Sequence, residues 1–175
     1  MNLRIALDID STLAGFEVSY NRHFKTNIAD EKDHEITRRV YRLRYNKRFW
    51  LSLPKIEDIN FIPEIYATKR INPKSYTREW IVANGFPDRP IYQTIYQYGN
   101  KADIIKGRCD VLIDDSFSNV KKCINSGVPA ILINRPHNKG VSFEYRVSKL
   151  DINEIESVYN QLLNDFPYLR KFTGS

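Results

Sequence analysis

The sequence predicts an α/β fold: a parallel sheet of about five strands, helices on its faces, and a small helical insertion after strand one. Three observations lead there. Short runs that are apolar nearly throughout alternate with stretches of helical spacing, the pattern of strands buried on both faces. Acidic residues fall at the carboxyl ends of the first and fourth runs. The chain has 175 residues, which suits one compact domain with a small insertion and a real core.

The elements follow in order. LRIALD (3–8) is an apolar run that ends in an acid, a buried strand. Residues 14–26 and 31–46 mix polar and apolar side chains at helical spacing without an internal break, and read as two helices. FIPEIYAT (61–68) gives strand two after Pro63. Only KIEDINFI (55–62) precedes it, too short for a helix of three turns. Pro73 opens the helix KSYTREWIVAN and Gly85 closes it, the usual asymmetry of proline at the start and glycine past the end. PIYQTI (90–95) is strand three, KADIIKG (101–107) a short helix and VLIDD (111–115) strand four. SFSNVKKCINSG (116–127) is a helix ending at Gly127, and PAILIN (129–134) strand five. DINEIESVYNQLLNDF (151–166) is an amphipathic helix with Ile152, Ile155, Val158, Tyr159 and Leu162 on one stripe.

Composition excludes several classes. No apolar run approaches the ~20 residues of a membrane span, so no membrane partner is expected. Aromatics at 13%, with 7 Gly and 8 Pro, exclude a disordered or fibrous chain. Two cysteines, Cys109 and Cys123, form no disulfide framework and no CxxC, and no signal peptide precedes them. A reducing, cytoplasmic setting with two buried thiols is expected. His23, His34 and His137 have no metal-ligand spacing, and no phosphate-cradling glycine loop is present. The net charge of +6 is concentrated between Arg22 and Arg48, where nine basic residues face four acids. That run is either a solvated helix face or an electropositive surface for phosphates, nucleic acid included.

In parallel sheets, ligands bind beyond the carboxyl ends of the strands. Asp8 and Asp10 stand at one such end, Asp114 and Asp115 at another, and Thr68 closes strand two. Carboxylates gathered on one rim repel one another unless a cation offsets them. Oxygen ligands without His or Cys suit a hard ion such as Mg²⁺.

DIDSTL (8–13), the threonine of YATKR (Thr68), the lysine of GNKAD (Lys101) and LIDDS (Asp114, Asp115) resemble, in order, the four motifs of the haloacid dehalogenase (HAD) superfamily of phosphohydrolases. Lys106 is the alternative to Lys101. Within that superfamily, DIDSTLAGF, FWLSLP (49–54), NGFPDRPIY and LIDDSFSNVKKCINSGVPAILINRPHN are similar to the 5'(3')-deoxyribonucleotidases. The resemblance implies a HAD-like Rossmannoid core (1–14 and 51–175) and a helical cap (15–50). It implies a Mg²⁺-dependent phosphatase of (deoxy)ribonucleoside monophosphates. Asp8 would be the nucleophile and Asp10 the acid and base, while Thr68 and Lys101 would hold the phosphate. The metal would be held by Asp8, the Asp10 carbonyl, Asp114 and Asp115. Asp10 lies two residues from Asp8, so in an extended strand both side chains point the same way.

Phe16, Phe49 and Trp50 are either the wall of a base pocket or packing between cap and core, since an aromatic face stacks on a nucleobase. Lys69 and Arg70 follow Thr68 and are placed to reach phosphate or sugar. Arg135 and His137 read as a surface turn. Ser11 stands where relatives often carry glycine, with little consequence expected. The short 55–62 segment departs from relatives that carry a full helix there, leaving one sheet face thin or covered by the C-terminal helix. Two other functions share these features: a polynucleotide 3'-phosphatase, and a nucleic-acid-binding module that keeps the fold without turnover. Neither the oligomeric state nor the preferred base is legible.

Overall fold

The computed structural model describes residues 3–94 and 99–172. It is an α/β sandwich around a six-stranded, wholly parallel sheet in the order β3-β2-β1-β4-β5-β6. The strands are β1 (Ile5–Leu7), β2 (Ile65–Thr68), β3 (Ile91–Gln93), β4 (Val111–Asp114), β5 (Ala130–Ile133) and β6 (Arg146–Val147). The sixth strand exceeds the five expected. It is two residues long, too short for a periodic signal, and is held by pairing Leu132 with Arg146 and Ile133 with Val147. Ile95, the expected last residue of strand three, lies outside the described residues.

Side-chain alternation divides the core in two. Ile5, Leu7, Tyr66, Ile113, Ile131 and Ile133 face one layer. Ala6, Ile65, Ala67, Leu112, Ala130 and Leu132 face the other. The first layer contains α4 (Lys74–Ala83) and α7 (Ile152–Asp165), which contribute Trp80, Ile81, Ile155, Tyr159 and Leu162. The second contains α5 (Ala102–Ile105) and α6 (Phe117–Asn125), which contribute Ala102, Ile105, Val120 and Cys123. Residues 55–62 form no helix, and that face is covered by α4 and α7 with Ile59 and Phe61 packed in. Both cysteines are free and buried. No helix among the described residues is long and apolar enough to cross a membrane.

Between β1 and β2 the chain makes α1 (Phe16–Phe24), α2 (Asp33–Leu43) and α3 (Lys47–Leu51). The third helix was not expected; its signal is the Asn46 side chain, which accepts from the Phe49 amide at 3.1 Å. The two ends of this helical segment are zipped together. Gly15 donates to the Pro54 carbonyl at 2.7 Å and Ile56 to the Leu13 carbonyl at 2.8 Å. A Cβ on Gly15 would sit 2.8 Å from Pro54 Cγ, so only glycine fits there without displacement.

Candidate active site

The strand order reverses at β1, which pairs with β2 on one side and β4 on the other. Leu7 is opposite Ile113, and the Asp8 amide donates to the Ile113 carbonyl at 3.0 Å. Asp8 and Asp114 therefore leave the sheet side by side, and Asp115 follows. One carboxylate oxygen from each of the three lies within 4.8 Å of the others, and all three residues are buried. Lys101, just before α5, is also buried. Its ammonium contacts Asp8 Oδ1 and lies 2.7 Å from Asp114 Oδ2. Lys106, by contrast, is exposed.

Three carboxylates against one ammonium leave a formal −2. All the cluster's donors are oxygens, so it fits a hard divalent cation. Electrostatics report the same imbalance. Burial raises the Asp8 carboxyl well above its ordinary value; Lys101 opposes this, and Asp114 and Asp115 add to it. Burial likewise raises Asp114, again opposed by Lys101. Burial pulls the Lys101 ammonium down, but Asp114 and Asp8 outweigh it and the net shift is upward.

Neighbouring groups fix the carboxylates. The Thr12 hydroxyl donates to Asp115 Oδ1 at 2.9 Å. The Ser116 amide donates to Asp114 at 2.8 Å, and Asn119 Nδ2 lies 3.1 Å from Asp114 Oδ2. Lys69 Nζ donates to Asn119 Oδ1 at 2.6 Å, and burial together with Lys101 lowers its pKa. His137 Nε2 sits 3.0 Å from Asp115 Oδ2; hydrogen bonding to Asp115 raises the imidazole pKa against partial burial. Thr68 is fully buried at the end of β2, and its hydroxyl oxygen accepts from the Arg70 amide at 3.1 Å.

Asp10 is not in the carboxylate group. After Asp8 the chain is not extended: Leu13 and Ala14 both donate to the Ile9 carbonyl at 2.8 Å, and Ser11 takes φ +59°. The Asp10 carboxylate instead meets Arg70, whose Nε and Nη2 lie 2.9 and 2.7 Å from Oδ1. Arg70 was expected to reach for substrate. Its side chain is 0% exposed and held over the rings of Trp50 (5.3 Å) and Trp80 (5.5 Å). Its remaining nitrogen, Nη1, is buried without a hydrogen-bond partner.

The expected base pocket is also altered. Trp50 and Phe49 are 1% and 5% exposed, and Trp50 Nε1 donates to the Leu43 carbonyl at 2.8 Å. Phe16, partly buried, stacks on Trp50 at 5.9 Å and meets Phe49 edge-on at 6.2 Å. These rings pack on one another, and Trp50 also lies under the buried Arg70 guanidinium, a favourable use of an indole face. No face of Trp50 is left for a base.

Arg135 is not a surface residue. Its Nε donates to the Ser11 carbonyl at 2.9 Å and its Nη2 to the Thr12 carbonyl at 2.6 Å, clasping the loop after β1. Asn138 Nδ2 donates to the Asp115 carbonyl at 2.8 Å. Thr12, Asn119, Arg135 and Asn138 are site residues that sequence reasoning did not select. Thr12 had a signal in its place within DIDST; Asn119 had only its place on α6, five residues after Asp114. No family model matches this chain, and no curated protein matches it.

Proposed function

We propose that this chain is a metal-dependent phosphomonoesterase acting on nucleoside monophosphates through an aspartyl-phosphate on Asp8. The observation that carries the reading is the buried group of Asp8, Asp114 and Asp115 with Lys101 in contact with two of its members. Asp8 has one weakly held oxygen: Lys101 contacts Oδ1, while Oδ2 has only a long 3.5 Å contact from Thr12. Asp114 and Asp115 are tied down by Ser116, Asn119, Thr12 and His137. A loosely held carboxylate suits attack, and tightly held ones suit ligation.

Asp8, Asp114 and Asp115 would hold Mg²⁺, with the Asp10 carbonyl as a further ligand. When bound, the ion offsets the charge of a phosphate brought against carboxylates. Lys101 adds a fixed positive charge at the same place and orients Asp8. In the first half of the reaction an Asp8 oxygen attacks phosphorus. The bond from phosphorus to the ester oxygen breaks, and Asp10 gives that oxygen its proton. In the second half Asp10 takes a proton from the water that attacks the phosphoryl group, releasing inorganic phosphate and restoring Asp8. Arg70 grips Asp10 through two nitrogens, Nε and Nη2, and sets its orientation for both steps. Thr68 and Lys69 would bind the phosphoryl oxygens.

The nucleoside part of the reading is supported by the resemblance of FWLSLP and RPHN to deoxyribonucleotidases, and by Phe16 as the partly buried ring of the aromatic group. The test is phosphate release across nucleoside monophosphates, phosphosugars and a 3'-phosphorylated oligonucleotide, with Mg²⁺ and with EDTA. Turnover of nucleoside monophosphates that is lost in EDTA and regained with Mg²⁺ is expected. No release from any phosphomonoester in Mg²⁺ overturns the reading.

A further inference from the structure

A second site stands apart from this reaction. The faces of α1 and α3 line a groove of about 500 Å³, with Ser19, Arg22 and His23 from α1, Arg48 and Phe49 from α3, and Asn46 at the N-cap of α3. Ser19, Arg22 and His23 are spaced i, i+3, i+4 and so share one helix face. Nothing acidic lines the groove. Arg22 and Arg48 are exposed, and their side chains make no ion pair or hydrogen bond with any described residue. The nearby basic residues that do have acidic partners are Arg39, with Glu31 at 2.9 Å, and Lys47, with Glu79 at 2.8 Å. Two guanidiniums without acidic partners therefore line one concavity, and an anion there would meet positive charge from both helices. A groove of this volume falls in the range of ligand sites.

The surroundings indicate which anion. Arg38 and Arg42, one turn apart on α2, are also exposed and without side-chain partners among the described residues. Arg44 stacks over the ring of Tyr45 at 5.1 Å, and Tyr45 is 69% exposed. Exposed guanidiniums on the same helical segment as the groove, with an exposed tyrosine among them in the sequence, match a polyanion that also offers flat rings. Unpaired bases offer those rings; a duplex buries them. A bilayer surface cannot enter a concavity between two helices.

We propose that the groove between α1 and α3 binds the backbone of single-stranded nucleic acid, with Arg22 and Arg48 each neutralising one phosphate. None of its lining residues belongs to the carboxylate cluster, so binding and turnover are separable. Each phosphate neutralised on a single strand contributes ~0.7 to the slope of log affinity against log salt.

The test is fluorescence anisotropy of a labelled oligothymidylate without a terminal phosphate, titrated in EDTA at several KCl concentrations. The full chain is compared with two double variants of equal charge loss. Arg22→Ala with Arg48→Ala removes the groove's cations; Lys139→Ala with Lys149→Ala removes two exposed lysines elsewhere. All four side chains are exposed, and thermal melting verifies that each variant folds. The groove variant is expected to weaken binding about tenfold at the lowest salt and to reduce the slope by about 1.4, two phosphates' worth. The lysine variant should leave the slope unchanged. Absence of binding by the unaltered chain, equal losses in the two variants, or binding to phosphatidylserine vesicles but not to the oligonucleotide overturns the proposal.

Discussion

Arg70 is spent on a partner rather than on solvent: it is fully buried between two indoles and bound to Asp10. In the proposed reaction this makes it a positioning residue for the proton that the leaving group receives. Arg70→Gln should cut turnover of an alkyl phosphate about 10²-fold, the typical worth of general acid catalysis. It should affect p-nitrophenyl phosphate far less, because nitrophenolate leaves without a proton. Equal losses on both substrates would show that Arg70 only supports the fold. Ser11 was expected to be inconsequential in place of glycine, but it sits at φ +59°. A left-handed backbone costs a residue with a Cβ roughly 1–2 kcal/mol, and the extra chain freedom of glycine gives back about 0.5–1 kcal/mol. Ser11→Gly should therefore stabilise the fold by about 0.5–1 kcal/mol, read as a rise in thermal midpoint; a fall would mean that the Ser11 side chain contributes more than its strain. DIDST shows five residues in order, but not that the chain folds back after Asp8 and sends Asp10 to Arg70. That turn is closed by the amides of Leu13 and Ala14 on the Ile9 carbonyl, and it is clasped by Arg135, 124 residues away from Ser11, which no local pattern reveals.

The long elements were legible because their signals are local. Gly85, Gly107 and Gly127 end α4, α5 and α6 with φ of +78°, +73° and +82°. β1, β2, β4 and β5 are apolar on both faces because helices cover both. The short ones were not: β6 is two residues whose pairing depends on β5, and α3 is five residues begun by an asparagine cap. Which of the two readings held for Phe49 and Trp50 was not legible either, since aromatic residues beside a helix carry no mark of which side they face. At the junction where the helical segment leaves and rejoins the sheet, Gly15 lies against Pro54 with no room for a methyl. Gly15→Ala should cost about 1–3 kcal/mol, as overpacking does, because a proline ring and its own backbone cannot easily yield. A thermal midpoint equal to that of the unaltered chain would show that the junction is free to open.

Across the whole molecule, one sheet face contains both thiols, Cys109 and Cys123, and burial pushes each up to about 12 from an ordinary 9.0. A raised pKa on a thiol favours the neutral form in the fold, so this stability is complete below about pH 9. It is lost as pH climbs towards 12, where the unfolded thiols ionise and the folded ones do not. The urea midpoint should fall over that range, and the fall should be shallower in the Cys109→Ala, Cys123→Ala variant. An identical fall in both proteins would assign it to other groups. The charge of +6 and the acidic cluster lie in different parts of the chain: basic residues gather on the segment between β1 and β2, and the acids on the carboxyl ends of β1 and β4. The central claim is that Asp8 takes the phosphoryl group. It is tested most directly by mixing the chain with a nucleoside monophosphate and Mg²⁺, quenching in acid within one turnover, and locating phosphate by peptide mass spectrometry. A phosphoryl group on the peptide containing Asp8, absent in Asp8→Asn together with turnover, is the predicted result; Asp8→Asn releasing phosphate at the rate of the unaltered chain would contradict it.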